Sequence, residues 1–478
     1  MPVQPGYQTT MVQFGEWVPD DDRNIQPGYP TFWVNGSEVA LQDAKNMLYT
    51  AKAYRPMPPL VAQGIATPVP ALDAETFAYG GTNYLFVGGA SAIYYSTNGG
   101  TTWTLCGSGY TAAGWTFAQY GNCVYATDGV DPIQSIDLSA PTPAFAALNA
   151  ATAPVAFAIG VIRDFVVAGN IVSGDQTGAW VIQWSALANP PVWDIPNTQQ
   201  ARADQSGAQA LYSQYGSVQF IAQGEEQAII FQQRGISRVQ YVGGDVVFSF
   251  YTYERKRGLL APRAIAQLGN TCYFLASDGF YATDGSTVQP IGYGKINRWF
   301  FNDCANTADV RAAADVASEC VIFHYPNNSG GWSQLAYNWY EQRWTRGTNA
   351  ASFLFQGLNG TAYQAQFFNS ANIVNTLSGT PTDSELTTNY FRFDPAHRAL
   401  AISMRILADD ANTATGAVSA KVSDQDADVW SGYGAPEGIS RQISVRADGY
   451  MHAVNVKMTS AFTYAQGVGI TYTLRGRR

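Results

Sequence analysis

Residues 264–291 read AIAQLGNTCYFLASDGFYATDGSTVQPI. Four short runs rich in aromatic and β-branched residues are separated by Gly269-Asn270, Asp278-Gly279 and Asp284-Gly285. Such pairs between such runs signal hairpins, because a type I′ turn needs φ > 0 at both central positions. The stretch predicts four strands in one antiparallel meander, with Asp278, Gly279, Asp284 and Gly285 as its turn residues. A lone meander leaves an apolar face bare, so it needs neighbours.

The pattern returns along the chain. Phe117-Ala118-Gln119-Tyr120-Gly121-Asn122 repeats Ile265-Ala266-Gln267-Leu268-Gly269-Asn270, and the run from Cys123 to Asp128-Gly129 repeats that from Cys272 to Asp278-Gly279. Weaker copies start near Phe77, Phe157, Leu211, Ala312 and Phe353. A spacing of roughly 40–55 residues is close to that of propeller blades. The reading is an all-β chain whose residues 73–380 form a β-propeller of six or seven four-stranded blades. The alternative is a β-sandwich or several small sheets.

Residues 1–72 are rich in Pro and Gly, carry Asp20-Asp21-Asp22, and are expected to form an N-terminal arm that packs on other parts or on a neighbour. Within them, residues 41–54 suit a short helix or a strand. From residue 381 the turn spacing changes, and alternating runs at 400–407, 443–446, 452–458 and 468–474 predict a small C-terminal β-sandwich domain, residues 381–478.

Charged residues make up 13% of the 478-residue chain, about half the usual quarter. A turn-rich chain so poor in Lys and Glu has little helical surface. The formal net charge of −9 argues against a protein that grips nucleic acid through its phosphates. The five cysteines are scattered, with no C-x-x-C pair, which points to reduced thiols rather than a disulfide framework or zinc site. The first residues carry neither a basic segment nor a long apolar core, so no signal peptide is expected. Residues 138–162 form the longest uncharged tract but hold three prolines, which argues against a membrane span.

Little points to chemistry. Residues 96–103, Ser-Thr-Asn-Gly-Gly-Thr-Thr-Trp, match the Asp-box pattern Ser-x-Asp-x-Gly-x-Thr-Trp with Asn98 for Asp. That box is a turn between outer strands, with Gly at φ > 0 and Trp packed beneath. Asp424, Asp426 and Asp428 have the spacing of the first three ligands of a calcium loop, but Val429 and Ala435 stand where its Gly and bidentate Glu belong. The three histidines lie far apart, and no nucleophile, metal or phosphate motif is present. No enzyme, metal or cofactor is expected. Trp180, Trp184 and Trp193 read as core, with a carbohydrate platform as the alternative.

The densest basic cluster is Arg255-Lys256-Arg257, and Trp299-Phe300-Phe301 reads as a short helix with exposed aromatics. Arg255, Lys256, Arg257, Trp299 and Phe300 are the candidate contacts with a neighbouring subunit or a lumen.

An ordered set of segments carries a family resemblance. Arg238-Val-Gln-Tyr-Val-Gly-Gly244 is followed by Arg257-Gly258, Ala261-Pro262-Arg263 and Ala276-Ser-Asp278-Gly279-Phe280-Tyr281. Next come Pro290-Ile-Gly292 and Ile296-Asn-Arg298-Trp-Phe300. Together with Trp184-Ser-Ala-Leu-Ala-Asn-Pro190-Pro-Val-Trp193 and the terminal Gly-Val-Gly-Ile-Thr-Tyr-Thr-Leu-Arg-Gly-Arg-Arg478, the set resembles tail hub or nozzle proteins of short-tailed bacteriophages, the packaged-DNA stabilisation proteins. The ordered match spans about residues 160–300. It implies a virion structural protein, six copies of which form a ring in the tail below the portal and its head-to-tail adaptor. Such a ring, assembled in host cytoplasm, would extend the DNA channel, help retain the genome and open for ejection. Double-stranded DNA would pass without specific binding, since six copies carry a formal charge of about −54. Further partners would be a tail fibre, spike or needle. The alternative function is a glycan-binding or glycan-cleaving, sialidase-like propeller.

Overall fold

The computed structural model describes residues 6–20, 38–149, 152–409, 414–423, 425–434, 436–438, 440–460 and 464–477. Among them the seed stretch forms four antiparallel strands, Ile265–Leu268, Thr271–Ala276, Gly279–Thr283 and Val288–Pro290. The turns differ from expectation in one respect. Only the glycine of each pair has positive φ, at +58° for Gly269, +141° for Gly279 and +86° for Gly285, so these are not type I′ turns. Asp284 acts through its side chain instead: Oδ1 accepts from the N–H of Ser286 and of Thr287 at 2.9 and 3.0 Å. Those bonds, led by one from the Ser286 hydroxyl, lower its pKa to about 2.

Seven such sheets form the propeller. In chain order their innermost strands are Asp73–Tyr79, Thr116–Tyr120, Val155–Ile162, Val218–Ala222, Ile265–Leu268, Arg311–Asp315 and Ala351–Asn359, which define blades 1 to 7. These strands are rich in Ala and Gly because they crowd around the axis. A Cβ on Gly160 of blade 3 would meet Ile221 of blade 4 at 2.7 Å. Blade 7 takes its outermost strand from the other end of the chain: Leu60–Gln63 pairs antiparallel with Val374–Leu377. Blade 7 also touches blade 1 in a parallel bridge, Gln356 to Glu75, which closes the ring. The Asp-box turn lies, as expected, between the two outer strands of blade 1, with Ser96 Oγ accepting from the N–H of Gly100 at 2.9 Å. Its Gly100 carbonyl accepts from Ile65 N–H at 3.0 Å, fastening the end of the closing strand.

The second module, among the described residues, is a curled sheet of nine successive strands, to which the hairpin Met47–Thr50 and Ala53–Pro56 is joined by a bridge from Tyr54 to Ala465. Its strands run Ile443–Gly449, His397–Ala408, Ala465–Arg477, Gln8–Trp17, Glu38–Lys45, Ser384–Thr388, Met451–Met458, Ala414–Lys421 and Trp430–Gly434. Val12, Leu41, Met404, Ile406, Val418, Val454, Val456 and Val468 fill its core. The sequence places all of this after residue 381, but two central strands, Gln8–Trp17 and Glu38–Lys45, come from the N-terminus. The expected arm at 1–72 is therefore corrected in its described part. Its residues close both modules, since each module lacks strands that only the N-terminus supplies. Residues 41–54 are strands, and Tyr54 donates its hydroxyl to the Gly15 carbonyl at 2.7 Å.

Candidate functional site

Three places gather the functional groups. The first is the junction of the modules, where one hydrophobic cluster runs from Phe274, Phe280, Phe323 and Trp344 of blades 5 and 6 to Trp17 and Leu41 of the second module. The helix Asn297–Asp303 sits here. Its own flanking residue offers no side-chain cap, so Asp20 supplies one from the second module. Asp20 Oδ2 accepts from Arg298 N–H at 2.7 Å and Oδ1 from Trp299 N–H at 2.8 Å. A carboxylate there satisfies orphan donors and meets the positive end of the helix dipole. Trp299 packs edge-on against Trp17 at 5.2 Å between centroids. On blade 6, Arg346 grips Asp43 with Nε and Nη2 at 2.6 and 2.5 Å.

This corrects the expectation of exposed aromatics. Phe300 is wholly buried against Phe280 and Tyr325, and Trp299 is half-buried at the junction. Trp299 joins the two modules of one chain and Phe300 seats the helix on blades 5 and 6, so neither is the exposed aromatic expected.

The second place is the basic loop. Glu254 Oε1 accepts from the N–H groups of Arg255, Lys256 and Arg257 at 3.0, 2.8 and 3.2 Å, which fixes the loop. Arg255 and Lys256 are exposed. Arg257 is not available: its Nε donates to Asp278 Oδ2 and to the Tyr281 hydroxyl, both at 2.8 Å, and the bond to Asp278 leads in raising its pKa. Asp278 and Gly279 form a second joint. Asn297 Nδ2 donates to the Asp278 carbonyl at 3.1 Å, and a Cβ on Gly279 would lie 1.8 Å from that nitrogen.

The third place went unseen in the sequence. The propeller axis is a channel of about 590 Å³. At the mouth where the inner strands begin, Asp73 of blade 1 is 6% exposed. Arg263, which enters blade 5, donates to its two oxygens at 2.6 and 2.8 Å, and Arg311 of blade 6 donates to Oδ1 at 2.8 Å. Burial pushes the Asp73 carboxyl up, but the two guanidiniums and the N–H of Trp115 outweigh it and hold the pKa below the usual value. The side chain of Glu75, two residues further in on the same strand, has no hydrogen-bond or ion-pair partner among the described residues. Burial, with Asp73 adding to it against the pull of Arg263, raises its pKa to about 8. Only the pairing of residues far apart in the chain makes this cluster.

The remaining expectations fall as follows. Asp426 Oδ2 accepts from the N–H groups of Val422 and Ser423, both at 2.8 Å, and Asp428 Oδ1 holds Lys421 Nζ at 2.6 Å and the Tyr390 hydroxyl at 2.5 Å. The carboxylates are thus committed to separate partners, while Asp424 lies outside the described residues. No group of three metal-ligating side chains occurs among the described residues. Trp184 and Trp193 are buried and Trp180 is 38% exposed, so the three form no common platform. The five cysteines are free thiols. No helix among the described residues is long and apolar enough to cross a membrane.

No family model and no curated protein sequence matches the chain. Among solved structures it is similar to BBS1N from a complex with ARL6DN, at 13% identity and TM-score 0.42 over 67% of this chain and 98% of that one. It is similar also to BamB from Moraxella catarrhalis, at 8% identity and TM-score 0.40 over 69% and 92%. YCF48 bound to D1 peptide gives 12% identity and TM-score 0.41 over 69% and 99%. These are β-propellers.

Proposed function

We propose that this chain is a virion structural protein, a tail hub or nozzle subunit of a short-tailed bacteriophage. Six copies form a ring that continues the DNA channel below the portal adaptor, helps hold the packaged genome and opens for ejection. One observation carries the reading. The ordered residues that resemble that family are the ones that fasten blade 5 to its surroundings: Arg257 on Asp278, Asn297 against Gly279, and Trp299 on Trp17. A pattern spread over these joints encodes an architecture rather than a reaction. The net charge of −9 suits a lumen past which duplex slides.

The glycan-cleaving alternative needs free guanidiniums to take a sugar carboxylate. Arg263 and Arg311 do converge, but Arg311 is spent on Asp73 and the Leu72 carbonyl and Arg263 gives Asp73 two of its nitrogens, so one guanidinium edge is left where a sialidase needs a cluster.

In a ring, Arg255 and Lys256 are the charges of the loop free to meet a neighbouring subunit. Light scattering of the purified chain, and negative-stain images, should show particles near six protomer masses. Arg255→Glu with Lys256→Glu should shift them toward the monomer without lowering the melting temperature. A wild-type chain that stays monomeric at all concentrations would refute the ring, and retention of an oligosaccharide by that monomer would favour the glycan reading.

A further inference from the structure

The axial channel holds an imbalance of donors. Two guanidiniums share the single carboxylate of Asp73, and Arg263 spends only Nε and Nη2 on it, with a further contact to Thr116 Oγ1 at 3.4 Å. Arg263 keeps 27% of its side chain exposed toward the channel. Arg311 is more enclosed: Nη1 is on Asp73, Nη2 donates to the Leu72 carbonyl at 2.9 Å, and its plane covers the Phe353 ring at 3.8 Å. The Tyr363 hydroxyl of blade 7 borders the same cavity and makes no hydrogen bond among the described residues. A guanidinium edge open to a channel can take an anion through charge-assisted hydrogen bonds.

We propose that the axial channel is a binding site for a small anion, a carboxylate or a phosphate, seated between the unused edge of the Arg263 guanidinium, the Glu75 side chain and the Tyr363 hydroxyl. The proposal does not depend on the ring reading, because every group belongs to one chain. The space of about 590 Å³ admits an inorganic ion or a small organic acid, but not a folded partner.

The groups that face Glu75 set the pH dependence. Asp73 stands on its own strand, Gln356 on the inner strand of blade 7, Tyr363 on the next strand of that blade, Arg263 at the start of blade 5, and Arg311 beyond Asp73 on blade 6. With Glu75 pushed up to about 8 by burial, it is protonated at neutral pH and can donate a hydrogen bond to an anion. Above that value it ionises, cancels the spare positive charge and repels the ligand.

The test is calorimetric titration of the full chain with inorganic phosphate and, separately, with glucuronate, at pH 6.5 and 9.5. Saturable one-to-one binding of at least one of them is expected at pH 6.5, weakened at least tenfold at pH 9.5. Glu75→Gln should bind at both values, and Arg263→Met should lose binding at least tenfold. Gel filtration and a melting curve of Arg263→Met show whether it folds; if it does not, the Glu75→Gln profile alone decides. The proposal is overturned if neither probe saturates at pH 6.5, or if the affinity of Glu75→Gln falls with pH as the wild type's does. Preference for phosphate or for glucuronate tells an inorganic ion from an organic acid.

Discussion

Gln267 of blade 5 pairs with both backbone groups of Gln223 at the end of the blade 4 inner strand. Its Nε2 donates to the Gln223 carbonyl at 2.7 Å, and its Oε1 accepts from the Gln223 N–H at 3.0 Å. Gln356 of blade 7 does the same to Ala314 of blade 6, at 3.0 and 2.8 Å. Gln119 of blade 2 reaches the Ala78 carbonyl of blade 1 at 3.1 Å. A glutamine amide imitates a strand edge and supplies inner strands with the partners they lack across a blade gap.

Gln267→Leu keeps the bulk and removes both bonds. It should lower stability by about 1–3 kcal/mol, the usual cost of leaving half-buried backbone groups unpaired. Urea unfolding would measure it, and an unchanged midpoint would mean that water takes over the amide's role.

Asp20→Ala removes a cap that one module lends to the other. A loss of about 1 kcal/mol is expected from the cap alone. Because Trp17 and Trp299 meet at the same place, limited proteolysis should also speed up near residues 295–303.

Gly279→Ala places a Cβ 1.8 Å from Asn297 Nδ2 at a backbone φ of +141°. The two penalties should cost about 3 kcal/mol or more in unfolding measurements. Gly269→Ala, where nothing lies within 4 Å, should cost about 1 kcal/mol, from its positive φ alone.

Two carboxyls on one strand should tilt the pH–stability curve in opposite ways. Asp73 has its folded pKa lowered, so its contribution is present above about 4 and is lost as pH falls through the folded value. Glu75 has its folded pKa raised to about 8, so the folded state holds a proton that the unfolded chain releases above about 4, and stability drains away as pH rises from there to 8. Melting curves of Glu75→Gln across pH 5–8 should be flatter than the wild type's and lie above them at pH 8. Asp73→Asn strands two guanidiniums and should cost about 3 kcal/mol at neutral pH, with less acid sensitivity remaining.

How much was legible follows from distance along the chain. The blade pattern was read from turns and alternation lying within a few residues, and every inner strand begins near a copy found in the sequence, including the closing blade at Phe353. The Φ-Ala-Gln-Φ-Gly-Asn repeat was visible, but the partner of Gln267 lies 44 residues away on another blade, so its role was not. Trp299 and Phe300 read as exposed in the sequence because their covers lie elsewhere in the chain, Trp17 for the one and Phe280 with Tyr325 for the other.

That strands form, where they turn and how often the unit recurs is written into neighbouring residues. Those demands are local: φ at Gly279, side-chain hydrogen bonds at Asp284, and a two-residue alternation of buried positions. Tertiary structure alone decided which strands close each module and which charges meet at the axis. Gln8–Trp17 pairs with the last strand of the chain, and Asp73 finds Arg311 across 238 residues. Such meetings depend on the whole ring folding shut, and no segment carries them on its own.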